Sequence, residues 1–339
     1  MVTALPAIFF VHILVRFFIF RYDFGLSFCF IKDINNFCIG CLMSSETLND
    51  NISGASEIFN RAALFLIEQI KDLTESENDS NRILHIAKKI LYEQPRMAPL
   101  YHLLNLTLVL WQEYGSSNQD RGKLIRHIEE VIDHEKKAGK RIIQHLFPLT
   151  DQKTIAVFSR SSTILDALLY AHEQGAVFRV FITEARPNLE GHKTAMDLAN
   201  AGIETTLVVD AALSHVVRNS DFICVGADRI SETSVINKIG TKALALLSRE
   251  ATKPIYVISS ENKFLPDQIK MRDEALHPSS EIDSEQRENL HYWNKYFEDI
   301  PLTLFTGVIS ESGMLTTANV RKRIQGLNLQ ALQALLQKQ

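Results

Sequence analysis

The residues best placed to do chemistry lie in one short run, Val225-Gly226-Ala227-Asp228-Arg229 and then Asn237-Lys238-Ile239-Gly240-Thr241. The apolar residues Phe222 to Val225 read as a buried strand ending at Gly226 and Asp228, where the chain leaves the sheet. A short polar loop then leads to Asn237, Lys238 and Gly240-Thr241, and the helical run Lys242 to Arg249 follows. In an open parallel sheet, ligands sit beyond the carboxyl ends of the strands, near helix N-termini that favour anions. An acid at a strand end, with an amide, an ammonium, a glycine and a hydroxyl close behind, suits an anion or a sugar. A plain strand-loop-helix connection with Thr241 as the N-cap accounts for the same residues equally well.

Other strand ends carry similar groups. Ser159-Arg160-Ser161-Ser162 follow Val157-Phe158, and Thr183-Glu184-Ala185-Arg186-Pro187 follow Phe181-Ile182. Ser259, Glu261, Asn262 and Lys263 follow Ile258, and Ser310, Glu311 and Gly313 follow Ile309. Taken singly, each is a cap or a surface loop, but parallel strands place all their carboxyl ends along one edge, facing a common crevice. Arg160, Arg186, Lys238 and Lys263 would supply cations, and Glu184 and Asp228 carboxylates. That inventory suits a phosphorylated polyol: cations for phosphate, carboxylate and amide for hydroxyls. Arg96, in Gln94-Pro95-Arg96-Met97-Ala98-Pro99, is the one charge of the helical part that a turn could aim at a neighbouring domain, although taken alone it reads first as a solvated Arg. No Gly-x-Gly-x-x-Gly and no Walker lysine loop occurs, so neither a dinucleotide nor an ordinary nucleoside triphosphate is expected. His102, His127, His134 and His145 lack a metal-ligand spacing, and neither cofactor nor metal is expected.

The elements that must position these residues follow from periodicity. From Ser53 to Gln144 the pattern is helical: Ile58, Ala62, Phe65, Leu66 and Ile70 share one face, as do Ile83, Ile86, Ala87, Ile90 and Leu91. Pro95 and Pro99 separate helices, Leu100 to Trp111 is an apolar helix, and Lys123 to Leu146 a long amphipathic one. Near Pro148 the period changes. Strands at Thr154–Phe158, Phe178–Thr183, Thr205–Asp210, Asp221–Val225 and Pro254–Ser259 alternate with helices, and Pro301 to Ile309 supplies a last strand. Such alternation means βαβ crossovers and a mostly parallel sheet covered by helices on both faces. The expected class is therefore α/β: a helical domain over residues 43–147, then a Rossmann-like domain over residues 148–339. The polar stretch Pro278 to Asn289 reads as an exposed loop, and Ala331 to Gln339 as a terminal helix.

A net charge of −4 gives no basic field for nucleic acid. Residues 1–42 differ from the rest: about half of the 19 Phe residues fall there, with Cys29, Cys38 and Cys41. Their apolar core, Ala7 to Phe20, is interrupted by His12 and Arg16 and is shorter than the roughly 20 residues of a spanning helix. A membrane anchor, an atypical leader and an upstream extension absent from the mature protein compete, and Met43-Ser44-Ser45-Glu46 favours the extension. Beyond Met43 only Cys224 remains, within an apolar strand, which fits a reducing cytoplasm.

These motifs, in this order, resemble the family that joins the alpha, beta and delta subunits of eukaryotic initiation factor 2B to two isomerases. The isomerases act on methylthioribose 1-phosphate and ribose 1,5-bisphosphate. The resemblance rests on Phe158-Ser159-Arg160, on Thr183 through Gly191, on Val225-Gly226-Ala227-Asp228 and on Asn237-Lys238-Ile239-Gly240-Thr241. Phe297-Glu298 with Pro301, and Ile309-Ser310-Glu311-Ser312-Gly313, extend it towards the C-terminus. It implies a helical domain packed on a Rossmann-like one, a homodimer, and contacts with other initiation-factor-type subunits. It also implies that Asp228 matches the isomerases' catalytic Asp, whereas their acid-base Cys is replaced at about Val157. The early phosphate-holding Arg-Gly-Ala stands here as Ser53-Gly54-Ala55, without its Arg. Both departures place a regulatory, initiation factor 2B alpha-like binder of a phosphorylated sugar or nucleotide ahead of an aldose-ketose isomerase. In the latter, Ser159 or Cys224 would have to replace the missing acid. The ligand-binding set expected in either case is Ser159, Arg160, Glu184, Arg186, Asn237, Lys238, Arg96 and Lys263.

Overall fold

The computed structural model describes residues 55–337, except 77, 116 and 286. The expectations for residues 1–42 lie outside the described residues. Four helices come first: α1 (Ala55–Lys71), α2 (Asp79–Glu93), α3 (Ala98–Tyr114) and α4 (Asn118–Leu146). The faces expected from three-four spacing are the buried ones, Ile58, Ala62, Phe65, Leu66 and Ile70 in α1 and Ile83, Ala87 and Ile90 in α2. Helix α3 is apolar almost all round and accordingly lies at the centre of this layer, with Leu100, Leu103, Leu104 and Leu108 buried. Pro at its first turn costs no hydrogen bond, since those N–H groups have no partner within a helix. Helix α4 buries only a stripe, including Leu124, Ile128, Ala138, Ile142 and Leu146, and solvates its charged face.

The remainder alternates strands with helices: β1 (Lys153–Val157), α5 (Ser162–Glu173), β2 (Phe178–Thr183), α6 (Glu190–Asn200), β3 (Glu204–Val208), α7 (Leu213–Arg218) and β4 (Phe222–Val225). After β5 (Arg229–Ile230) and β6 (Ser234–Lys238) come α8 (Thr241–Glu250), β7 (Ile255–Ile258), β8 (Phe297–Pro301), β9 (Gly307–Ser310), β10 (Gly313–Leu315), α9 (Thr317–Gln325) and α10 (Gln330–Gln337). The main sheet has the order β10-β9-β7-β4-β1-β2-β3. All its pairings are parallel except β10 with β9. The fold is therefore α/β, a helical N-terminal region followed by a mostly parallel sheet with helices. From β1 the chain adds strands outward on one side, and from β4 it adds them on the other. The reversal falls between β1 and β4, the place where such sheets leave a crevice at their carboxyl edge.

Two features differ from the expectation. Residues Ser234–Lys238, read as loop, form a strand in a second, antiparallel sheet of order β5-β6-β8, in which Asn237 pairs with Glu298 and Lys238 with Phe297. The stretch expected as one strand from Pro301 to Ile309 is instead the end of β8, a turn of 3₁₀ helix at Leu302–Leu304, and β9. The chain also returns to the helical layer: Leu265, Ile269, Leu332 and Leu335 share a core with α1 to α3.

Candidate functional site

A cavity of about 340 Å³ opens at the β1/β4 reversal and is walled on its far side by the helical region. Ser159 and Arg160 reach it from the end of β1, Asp228 from the end of β4, Asn237 and Lys238 from β6, and Arg96 and Met97 from the α2–α3 turn. The two regions are tied at this point, since Ala98 N–H at the start of α3 donates to the Asp228 carbonyl (3.2 Å). Asp228 N–H in turn donates to the Ile236 carbonyl (2.8 Å), fixing the acid against the second sheet. Ser159 takes a positive φ of 62° as the chain turns out of β1. Phe158 packs so close to Gly240 that a Cβ there would stand 2.7 Å from the ring, and Gly240 also has φ 101°. Only glycine fits both demands.

The start of α8 works differently from either expectation. Glu298 from β8 accepts from the N–H groups of Gly240 (2.7 Å) and Lys242 (2.9 Å), so a protein carboxylate already satisfies this helix N-terminus. Thr241 is not its N-cap; its hydroxyl donates to the Lys238 carbonyl (2.6 Å) and accepts from Asn237 Nδ2 (3.0 Å). Asn237 is thereby held at the cleft wall with one amide donor already used.

Charge in the cleft is arranged around Asp228. Lys238 is almost wholly buried and donates to Glu190 Oε1 (2.7 Å), while its ammonium lies 4.9 Å from the centre of the Tyr296 ring. Lys263 Nζ donates to the Ala227 carbonyl, next to Asp228. Burial pushes the Asp228 carboxyl above the usual carboxylate range; Lys263 and Lys238 pull it back, and Glu190 and Glu274 raise it further. A carboxyl whose proton is held more tightly than usual is the kind of group that can take part in proton transfer. Arg160 is partnered by Asp197 of α6 (2.8 Å). Arg96 lies between Asp273 (3.6 Å) and Asp299 (3.7 Å), but its Nε is buried with no partner, as is Glu190 Oε2. Buried polar atoms are nearly always satisfied, so these two leave hydrogen-bonding capacity in the cleft for water or a solute.

Three expected ligand-binding residues are absent from the lining of this cleft: Glu184, Arg186 and Lys263, the last of which lines a neighbouring cavity with Glu135 and Ser260. Arg186 donates to the carbonyls of Glu281 (3.2 Å) and Ile282 (3.1 Å), tying down the loop after Pro278. Glu184 lies 4.0 Å from His192 and is absent from the cleft lining. Cys224 is fully enclosed in the core of the sheet beside Val157, and burial pushes its thiol up, so it cannot replace a missing acid in the cleft. Ser159 does line the cleft. Among the described residues, no group of three or more His, Cys, Asp or Glu could hold a metal, and no helix is long and apolar enough to cross a membrane.

Four contributors escaped the sequence reading: Glu190, Glu274, His277 and Tyr296. Glu190 had a signal, an acid at a helix start beside Gly191. A Cβ on Gly191 would lie 1.8 Å from the Thr183 carbonyl oxygen, so only glycine lets α6 begin against the end of β2 and present Glu190 to Lys238. The other three belong to the irregular segment between β7 and β8, where no periodicity marks them. Glu274 accepts from the N–H groups of Tyr296 (2.8 Å) and Phe297 (3.2 Å), and Tyr296 donates to Glu281 (2.5 Å).

Comparison with known proteins fits this geometry. A Ribose 1,5-bisphosphate isomerase from Archaeoglobus fulgidus is 32% identical over 217 residues, covering 63% of this chain and 68% of that protein. One from Thermococcus kodakarensis is 29% identical over 289 residues, covering 80% and 89%. The crystal structure of the Pyrococcus horikoshii OT3 translation initiation factor eIF-2B superimposes with a TM-score of 0.69 at 28% identity, over 80% of this chain and 94% of that one. Similar proteins thus carry both kinds of name. The sequence profile of the Initiation factor 2 subunit family matches residues 51–317, and the chain belongs to that family.

Proposed function

We propose that the cleft binds a phosphorylated ribose and that the protein is an aldose-ketose isomerase of the ribose 1,5-bisphosphate type. The observation that carries the reading is Asp228, a carboxyl lifted by burial and flanked by Lys263 and Lys238 at the floor of a cleft. Isomerisation needs a group that takes a proton from one sugar carbon and returns it to the next, and a carboxyl poised in this way suits that step. Lys238, Arg96 and Arg160 supply charge for phosphate, and the relatives named for ribose 1,5-bisphosphate isomerisation span much of the chain. They weigh towards the enzyme over the regulatory reading, which the sequence alone placed first.

One observation favours the regulatory alternative. Val157, at the position where the resemblance expects an acid-base Cys, is an alkyl side chain sealed in the sheet core. A binder of phosphorylated sugar acting through protein contacts, with other initiation-factor-type subunits or a second copy as partner, would keep the cleft and dispense with the thiol. Phosphorus NMR on ribose 1,5-bisphosphate, with methylthioribose 1-phosphate in parallel, separates the two. The enzyme gives new product resonances that disappear in Asp228→Asn. Shifted or broadened substrate lines without product identify the regulatory binder, and unchanged lines with both compounds refute a sugar-phosphate site.

A further inference from the structure

His277 lines the same cleft as Asp228, and its surroundings are those of an oriented acid-base imidazole. Its Nε2–H donates to Glu274 Oε1 (2.9 Å), and its ring lies flat on Tyr296, with centroids 3.5 Å apart and planes 7° from parallel. Glu274 is almost wholly buried and accepts two backbone N–H groups besides, so it is held in a fixed position. A carboxylate on one ring nitrogen fixes tautomer and orientation, and leaves Nδ1 as the nitrogen that exchanges a proton. Glu274 and His277 line the same cavity as Asp228, so the imidazole-carboxylate pair and the acid face one enclosed space. Glu274 is the charged group in contact with His277; the cavity wall they share also carries Glu93, Arg96, Arg160, Glu190, Asp228, Lys238, Arg272 and Asp273, and Tyr296 beneath the imidazole is tied to Glu281.

We propose that His277 is the second proton-transfer group of this cleft, supplying the acid for which Val157 leaves no thiol. The proposal rests on the isomerase reading. In a ribose 1,5-bisphosphate, the C1–O4 ring bond must break and O4 gain a proton, C2 must pass its proton to C1, and the C2 hydroxyl must lose its own to become the ketone. Asp228 takes the C2 proton and returns it at C1. His277 gives a proton from Nδ1 to O4 and regains one from the C2 hydroxyl. Both groups end as they began, no electrons enter or leave, and no further reactant is needed.

The test compares wild type, His277→Gln, His277→Asn and Asp228→Asn by turnover of ribose 1,5-bisphosphate across pH 5–9, with substrate affinity and melting temperature measured alongside. Loss of a general acid-base group lowers kcat by about 10²–10⁴-fold. The expected result for both His277 variants is that loss with KM nearly unchanged, together with disappearance of one limb of the wild-type pH profile. A purely structural tie would instead lower melting temperature and affinity and leave the shape of the profile intact; that outcome overturns the proposal. Turnover by wild type with His277→Gln equally active also overturns it while leaving the isomerase reading in place. Absence of turnover by the wild type overturns both.

Discussion

An ionised carboxylate at the inner end of a cleft gives up hydration that neighbouring ammonium groups restore only in part. At Asp228 the loss prevails over Lys263 and Lys238, and Glu190 and Glu274 add to it, so the folded state holds the proton more tightly than the unfolded chain does. The stability consequence has a definite sign. Below the ordinary carboxylate range Asp228 is protonated in both states and costs nothing. Across the interval up to its raised folded value the unfolded chain ionises first, and stability falls; above that value the full cost persists. Asp228→Asn removes the ionisation but keeps the shape, so the variant should gain on wild type in melting temperature between pH 4 and pH 8. A difference between the two proteins that is the same at both pH values would refute the assignment. The same variant abolishes turnover in the isomerase reading, so stability would rise where function is lost.

At the scale of elements, what positions the site is close backbone approach. Helix α6 can begin at Glu190 only because Gly191 has no side chain to strike the Thr183 carbonyl. Gly191→Ala forces backbone apart, since no flexible side chain stands there to yield, and should cost about 1–3 kcal/mol or more in denaturant unfolding. It should also draw Glu190 from Lys238 and, on the proposed function, weaken binding of a phosphorylated sugar. Gly122 gives the contrast: it lies inside α4, exposed, with nothing near its missing Cβ, and Gly122→Ala should stabilise by about 1 kcal/mol. An equal effect at both positions would mean that helix propensity and not contact decides. The strand ends were legible in the sequence because each parallel strand is a short apolar run closed by polar residues, and that pattern located Ser159, Arg160 and Asp228. Strand β6 was not, because Ser-Val-Ile-Asn-Lys is short and gains its identity from β8, about sixty residues later in the chain. Glu274, His277 and Tyr296 were hidden for a related reason: hydrogen bonds to one buried carboxylate hold them, and such bonds leave no period behind.

The whole molecule links its helical and sheet regions through contacts that bracket the cleft. Ala98 N–H meets the Asp228 carbonyl, His102 Nε2 meets the Phe264 carbonyl (2.5 Å), and Ser260 donates to Glu135 of α4 (3.0 Å). The C-terminal helix closes the arrangement, with Leu332 and Leu335 buried in the helical core and Leu332 N–H donating to Asn105 Oδ1 (3.1 Å). If these contacts carry stability from one region to the other, damage far from the sheet must reach it. Leu332→Ala leaves a cavity in the helical core and should cost about 2–5 kcal/mol. Each region contains its own reporter: Trp111 is buried among the helices, and the Cys224 thiol is sealed in β4 until the sheet opens. With the second tryptophan removed by Trp293→Phe, an exposed position, denaturant unfolding followed by Trp111 fluorescence and by alkylation of the Cys224 peptide should give one midpoint in this parent protein. Both reporters should then move together to a lower midpoint in Leu332→Ala. Movement of the Trp111 transition alone would mean that the helical wall of the cleft opens independently of the sheet. Asp228 would then keep its place while Arg96 and Met97 leave theirs.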